Sequence, residues 1–180
     1  MCATKFSNGV LKSIHGDEYY SPQNVVDMIV PYILRGGYSK VWCPFDTSES
    51  KFVTTFQELG FDVAYGHIDT GQDFFDYTDP QGEIVVSNPP FSKRDAIFER
   101  LYEMDIPFAL VMNFNGLFDS RKRGKLFREH GVEMLVPYGR MSFEHKDRGR
   151  RNNPNFQSVY VCNKLLDKQI VFSDVVFERK

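Results

Sequence analysis

The residues best suited to chemistry are Ser87-Asn88-Pro89-Pro90-Phe91, which directly follow the apolar run Ile84-Val85-Val86. Two consecutive prolines fix two φ angles and remove two backbone donors. Pro89 also pushes Asn88 toward an extended conformation. The turn is left with two fixed acceptors, the Asn88 side chain and the Pro89 carbonyl, and with the Phe91 ring beside them. Two convergent acceptors and a stacking face suit a planar amine, its N–H groups gripped and its ring stacked. The plainer alternative is that the prolines only stop a strand. The strand before them, the phenylalanine after them and the helical pattern beyond favour the chemical reading.

Such a corner must be held by regular elements, and the sequence supplies them. Short apolar runs alternate with amphipathic segments, the pattern of an α/β fold. Runs at 39–43 (SKVWC), 61–65 (FDVAY), 83–87 (EIVVS), 108–112 (FALVM) and 132–136 (VEMLV) are expected strands. Residues 159–162 and 170–172 are expected as a last pair. Ser21-Pro22 is an N-cap and N1 pair for a helix carrying Val25, Val26, Ile29 and Ile33, which Pro31 should kink or end and Gly36-Gly37 stop. Further helices are expected around Phe52, Phe56 and Leu59, over 95–102, and over the charged 120–130. Asp46, Thr47 and Ser48 are candidate caps for the helix that follows them.

Strand–helix alternation at this spacing implies right-handed βαβ units and a mainly parallel twisted sheet with helices on both faces. The late strands lack a helix of sufficient length between them, so an antiparallel C-terminal hairpin at one edge is expected. Ligands in such sheets bind outside the carboxyl ends of the strands. Functional residues are therefore expected at 43–50, 66–75, 87–92 and 112–117.

Composition narrows the possibilities. At 180 residues the chain has room for one domain, expected to span 1–180 without a separate target-recognition domain. A net charge of −2 excludes a domain-wide basic field, so any polyanion must meet a local patch. No apolar run is long enough to cross a bilayer, and the first residues lack the apolar core of a secretory signal. The three cysteines are far apart and, like the four histidines, lack metal-ligand spacing. No disulfide framework and no metal site are expected, and the compartment is a reducing, cytoplasmic one. Trp42, Cys43 and Cys162 are expected in the core, and His67 as a satisfied polar residue.

The run Asn88-Pro89-Pro90-Phe91 resembles motif IV of the amino-group methyltransferases that use S-adenosylmethionine (SAM). These are the adenine-N6 enzymes of nucleic acids and the glutamine-N5 enzymes of proteins. Tyr19-Tyr20-Ser21-Pro22 resembles the motif before the N-terminal cofactor helix. Val41 to Asp46 stands where the first strand and its cofactor loop belong, and Gly71-Gln72-Asp73-Phe74-Phe75 resembles the segment whose acid faces the adenosyl amine. Gly139 to Phe143, with Asn155 to Ser158, resembles the late hairpin beside the target base. The order is similar to a small phage and prophage adenine-N6 methyltransferase-like group, with a host cytoplasmic location if phage-encoded. The resemblance implies a Rossmann-like SAM-dependent methyltransferase. It makes Asn88, Pro89, Pro90 and Phe91 the catalytic set. It makes Tyr20, Ser21, Pro22, Pro44, Phe45, Asp46, Ser48, His67, Ile68, Asp73 and Phe74 the cofactor set. Two features depart from the family. The loop at 44–50 has no glycine where D/E-P-x-x-G-x-G is usual, and the ribose-binding acid is missing after the second strand, where His67 stands instead.

Nucleic acid is the expected partner. Arg140, Lys146, Arg148, Arg150 and Arg151 cluster in a polar segment that the resemblance sets near the target pocket, and Lys93 and Arg94 follow the double-proline corner. Arg121, Lys122, Arg123 and Lys125 are expected to be a solvated helix face. Three functions stay open: adenine-N6 methylation of DNA or RNA, with specificity either loose or supplied by a protein partner; glutamine-N5 methylation of a protein; and a binding module of the same fold without activity.

Overall fold

The computed structural model describes residues 19–141, 143–145, 151–152 and 156–177. A two-residue strand β1 (Tyr19–Tyr20) leads into helix α1 (Gln23–Gly36), followed by β2 (Lys40–Cys43), α2 (Lys51–Glu58) and β3 (Asp62–Tyr65). Then come β4 (Ile84–Ser87), α3 (Arg94–Glu103), β5 (Phe108–Asn113), α4 (Arg121–His130) and β6 (Glu133–Gly139). The last strands are β7 (Phe143–His145), β8 (Arg151–Asn152), β9 (Ser158–Asn163) and β10 (Ile170–Phe177). Among these residues, seven strands form one sheet in the order β10-β6-β9-β5-β4-β2-β3, and β1, β7 and β8 form a small antiparallel sheet. The fold is α/β and mainly parallel, as the sequence implies.

Alternation along the strands builds two cores. Val41 and Cys43 of β2, Ile84 and Val86 of β4, and Ala109 and Val111 of β5 pack under α1 and α2. Trp42, Val85, Phe108, Leu110 and Met112 pack on the opposite face under α3 and α4. Trp42, Cys43 and Cys162 are buried as expected. Leu59 is not: it follows α2 and is largely exposed.

Three local expectations are corrected. The N-cap of α1 is Pro22, not Ser21, and no side chain caps that end; the Val25 N–H donates to the Pro22 carbonyl at 3.1 Å instead. Pro31 does not end α1, which runs on to Gly36 and stops where Gly37 adopts a left-handed φ of 71°. The cap of α2 is Ser50, whose hydroxyl accepts from the Val53 N–H at 3.2 Å, and not Asp46, Thr47 or Ser48.

The expected C-terminal hairpin does not form. β9 inserts between β5 and β6, antiparallel to both, with Leu110 opposite Val161 and Leu135 opposite Tyr160. β10 then pairs with the outer side of β6 in parallel, Ile170 opposite Met134. β9 (SVYVCN) is buried at every residue and apolar from Val159 to Cys162, so it has both faces to cover, which an interior position satisfies and an edge does not.

Candidate functional site

β2 and β4 lie side by side and parallel, while the chain leaves β2 for β3 on one side and β4 for β5 on the other. The carboxyl ends of β2 and β4 therefore frame the switch point at which such sheets bind ligands. Asp46 closes its floor. The Asp46 N–H donates to the Gly66 carbonyl at 2.9 Å, and the Gly66 N–H donates to the Cys43 carbonyl at 3.2 Å. The carboxylate accepts the Ser87 hydroxyl and a second hydrogen bond from Ser50. Only 8% of Asp46 is exposed. Burial pushes its carboxyl up to about 7, against the two hydroxyls that pull it down. This side chain ties the loop after β2 to the residue immediately before Asn88.

Ser87 is the buried last residue of β4, Asn88 is half-buried and Pro89 is buried. Pro90 has φ −64° and ψ 124°, and its carbonyl accepts the Lys93 N–H at 3.2 Å to start a single 3₁₀ turn, Phe91–Lys93, before α3. The double-proline corner therefore connects the carboxyl end of β4, at the switch point, to α3. Phe91 meets Phe156 edge to face, with centroids 6.0 Å apart and planes at 82°. Phe91 also lines an open pocket of about 590 Å³ together with Phe75, Lys93, Arg94, Asp95 and Arg123. That lining takes in Phe91 but not Asn88, Pro89 or Pro90, and the Asn88 Oδ1 atom is buried.

The residues implied for the cofactor fall into two groups. Several converge on the same end of the sheet. Pro44 is buried, and Phe45 packs on the buried Phe74 with centroids 5.0 Å apart. Asp73 caps the short turn of Phe74, accepting the Phe75 N–H at 3.0 Å. The Ser21 hydroxyl is buried and has no hydrogen-bond partner among the described residues. Tyr20 pairs through its backbone with Glu144 of β7, and Pro22 opens α1. Others turn outward: Ser48 and Ile68 are exposed. His67 accepts the Asp69 N–H at 3.2 Å through Nδ1, the satisfied polar role expected of it.

Of the cations, Lys93 places Nζ 5.4 Å from the Phe75 ring centroid, and Arg94 donates to the Asn115 carbonyl at 3.2 Å. Arg140 follows β6 and is half-buried. Arg151 pairs with Glu144 through the backbone of β8. Lys146, Arg148 and Arg150 lie outside the described residues. On α4, Arg121, Lys122 and Lys125 are exposed as expected, but Arg123 is buried. Its guanidinium donates to the carbonyls of Leu117 (2.8 Å) and Gly116 (2.6 Å) and pairs with Asp95. Phe114, inside the expected 112–117 segment, and Phe118, just beyond it, were not singled out from the sequence; they stand 42% and 50% exposed at the same end of the sheet. Two aromatics in the polar loop sequence NFNGLFDS were the available signal. No cluster of metal-ligating side chains occurs among the described residues, and no helix there is long and apolar enough to cross a membrane.

No family model and no curated protein matches the chain. Solved structures do. A protein described as a candidate RNA methyltransferase from Pyrococcus horikoshii superposes with a TM-score of 0.54 at 14% identity, over 86% of this chain and 90% of that one. The modification subunit of a candidate type I restriction enzyme from Vibrio vulnificus gives 0.49 at 11% identity, over 91% of this chain and 51% of that one. The precorrin-6y C5,15-methyltransferase of Geobacter metallireducens gives 0.48 at 12% identity, over 84% and 96%. The first of these likenesses, together with the strand order, identifies the fold as the Rossmann-like one found in methyltransferases.

Proposed function

We propose that this chain is a SAM-dependent adenine-N6 methyltransferase acting on nucleic acid, DNA favoured over RNA. The observation that carries the proposal is the double-proline corner directly after β4 at the switch point, followed by Phe91, whose ring meets Phe156 edge to face. The fold agrees with it. The Ser21 hydroxyl, buried and unmatched by any described partner, fits a cofactor polar group beside α1. Ser21 and Pro22 would hold the cofactor from the α1 side, Pro44, Phe45 and Asp46 from the β2 side, and Asp73 and Phe74 from the β4 side.

In this reading the Asn88 side-chain oxygen and the Pro89 carbonyl accept the two N–H bonds of the exocyclic amine. They draw its nitrogen toward sp³ geometry and expose the lone pair. Phe91 stacks on the base and fixes its plane. Bound SAM supplies an electrophilic methyl group on a sulfonium. No strong general base is required, because the amine becomes acidic only on alkylation. A target within a duplex must first leave the stack, at a cost of a few kcal/mol. A protein partner would add sequence specificity, and the proposed compartment is the cytoplasm.

One observation favours a second reading. The loop after β2 lacks glycine and is stitched by Asp46 to Ser87 and Ser50, which suits a binding module that no longer turns over. Methyl-labelled SAM offered with DNA, RNA and protein pools separates the readings. Label recovered as N6-methyladenine supports the proposal. Label on protein glutamine supports the N5 alternative, and no label together with no calorimetric SAM binding supports the binding module.

A further inference from the structure

The carboxyl edge of the sheet carries a row of phenylalanines that continues past the corner. Phe91 meets Phe156; the Phe114 N–H donates to the carbonyl of the next residue, Gln157, at 2.8 Å; and Phe114 meets Phe118 with centroids 6.1 Å apart at 76°. Phe114 and Phe118 are largely exposed in a chain whose other phenylalanines mostly fill the cores. Their exposure is built in. The loop between β5 and α4 turns at Gly116, in a left-handed conformation with φ 69°. Arg123 holds the Gly116 and Leu117 carbonyls from below, Arg94 holds the Asn115 carbonyl, and the Asn115 N–H donates to the Asn113 side chain at 2.8 Å. Phe118 rests on Phe127, with centroids 6.0 Å apart.

The charges around this loop are uneven. Asp95 is matched by Arg123, and Glu99 by Lys122 at 2.6 Å. Lys93 and Arg121 are exposed and pair with no carboxylate among the described residues, against the single loop carboxylate Asp119. Exposed rings interleaved with cations suit an unpaired nucleic-acid strand, in which every base offers a flat face and every phosphate a charge. A duplex keeps its base faces stacked internally and offers such rings only edges and backbone.

We propose that Phe114 and Phe118 form a stacking platform for bases next to the target nucleotide, so that the substrate is engaged as an unpaired strand or loop. This rests on the nucleic-acid reading above. The test is fluorescence anisotropy with a labelled single-stranded oligonucleotide of about a dozen nucleotides containing adenine, in DNA and RNA form, and with the matching duplex. Wild-type protein is expected to bind the single strand at least about tenfold more tightly than the duplex. Phe114→Ala/Phe118→Ala is expected to weaken single-strand binding about tenfold or more, without changing the salt dependence. Phe114→Trp/Phe118→Trp should retain binding, which guards against a folding artefact, and Lys93→Ala should reduce the slope of log affinity against log salt by about one. Equal affinity of wild type and the alanine double variant, with the wild type binding well, overturns the platform alone. Preference for the duplex also overturns it, as does a shift from dimer to monomer in sedimentation on the double substitution, which would mark a protein contact. No binding of any oligonucleotide by wild type overturns the platform and the nucleic-acid function together.

Discussion

The two ends of β4 are each held by a carboxylate, and the two are opposite in character. At the amino end, Glu83 stands exposed and accepts the backbone N–H groups of Ser39 (2.6 Å) and Lys40 (3.0 Å) and the Ser39 hydroxyl (3.0 Å). Those donors pull its pKa down. At the carboxyl end, Asp46 is buried beside Ser87 with its carboxyl pushed up to about 7. The ionised form is favoured at one end and disfavoured at the other. An acid paired with backbone donors at a strand start stabilises the sheet. An acid desolvated at the switch point costs stability in its charged form, and such costs concentrate at functional sites. The amino end serves the fold, and the carboxyl end carries the proposed site.

Three substitutions sharpen this contrast. The largest effect on stability is expected from Arg123→Ala, at roughly 3 kcal/mol, because the change removes the buried guanidinium, its ion pair with Asp95 and the donor to two loop carbonyls. Urea denaturation measures it, and a loss below about 0.5 kcal/mol would show that the rim loop is held otherwise.

Asp46→Asn is expected to act through pH. The folded carboxyl titrates near 7 instead of 3.8, so the folded state holds its proton more tightly than the unfolded chain. Stability is then greatest below the ordinary value and declines as pH rises toward 7. Asparagine removes that decline. Denaturation at pH 4 should find wild type and variant alike, and at pH 8 the variant should be more stable, by a few kcal/mol at most. A variant less stable at pH 8 would mean that the carboxylate is stabilising when charged.

Glu83→Gln carries the smallest effect and the opposite sign. With its pKa lowered in the folded state, Glu83 adds stability above its ordinary range, and this is lost as pH falls. The variant should melt slightly lower than wild type at pH 7 and identically in acid, with ligand binding at the carboxyl end unchanged. Equal melting at both pH values would contradict the assignment.

The inner strands were legible because each is a short apolar run bounded by Gly, Pro or Asn, as at Val41 to Pro44 and Ile84 to Pro89. The corner was legible because two adjacent prolines after a strand have few other uses. Longer-range choices were hidden. Asp46, Thr47, Ser48 and Ser50 are all capping residue types. Ser50 caps α2 while Asp46 binds Ser87, a contact across 41 positions that no local pattern reveals. The partner of β10 was hidden likewise, since its apolar pattern fits β6 and β9 equally well. Arg123 looked like a solvent-facing charge because its partners, the Gly116 and Leu117 carbonyls, are backbone atoms. Phe114 and Phe118 were passed over because phenylalanine is ordinarily a core residue, and their exposure follows from a loop geometry set by that arginine.

The central claim, that Asn88 and Pro89 clasp the amine that is methylated, is tested most directly by single-turnover methyl transfer from SAM to an adenine-containing oligonucleotide, comparing wild type with Asn88→Ala. The account expects a loss of about 100-fold or more in the rate of transfer, as for other deleted transition-state hydrogen bonds. SAM affinity by calorimetry and melting temperature should be nearly unchanged. Transfer at the wild-type rate by the alanine variant would contradict it.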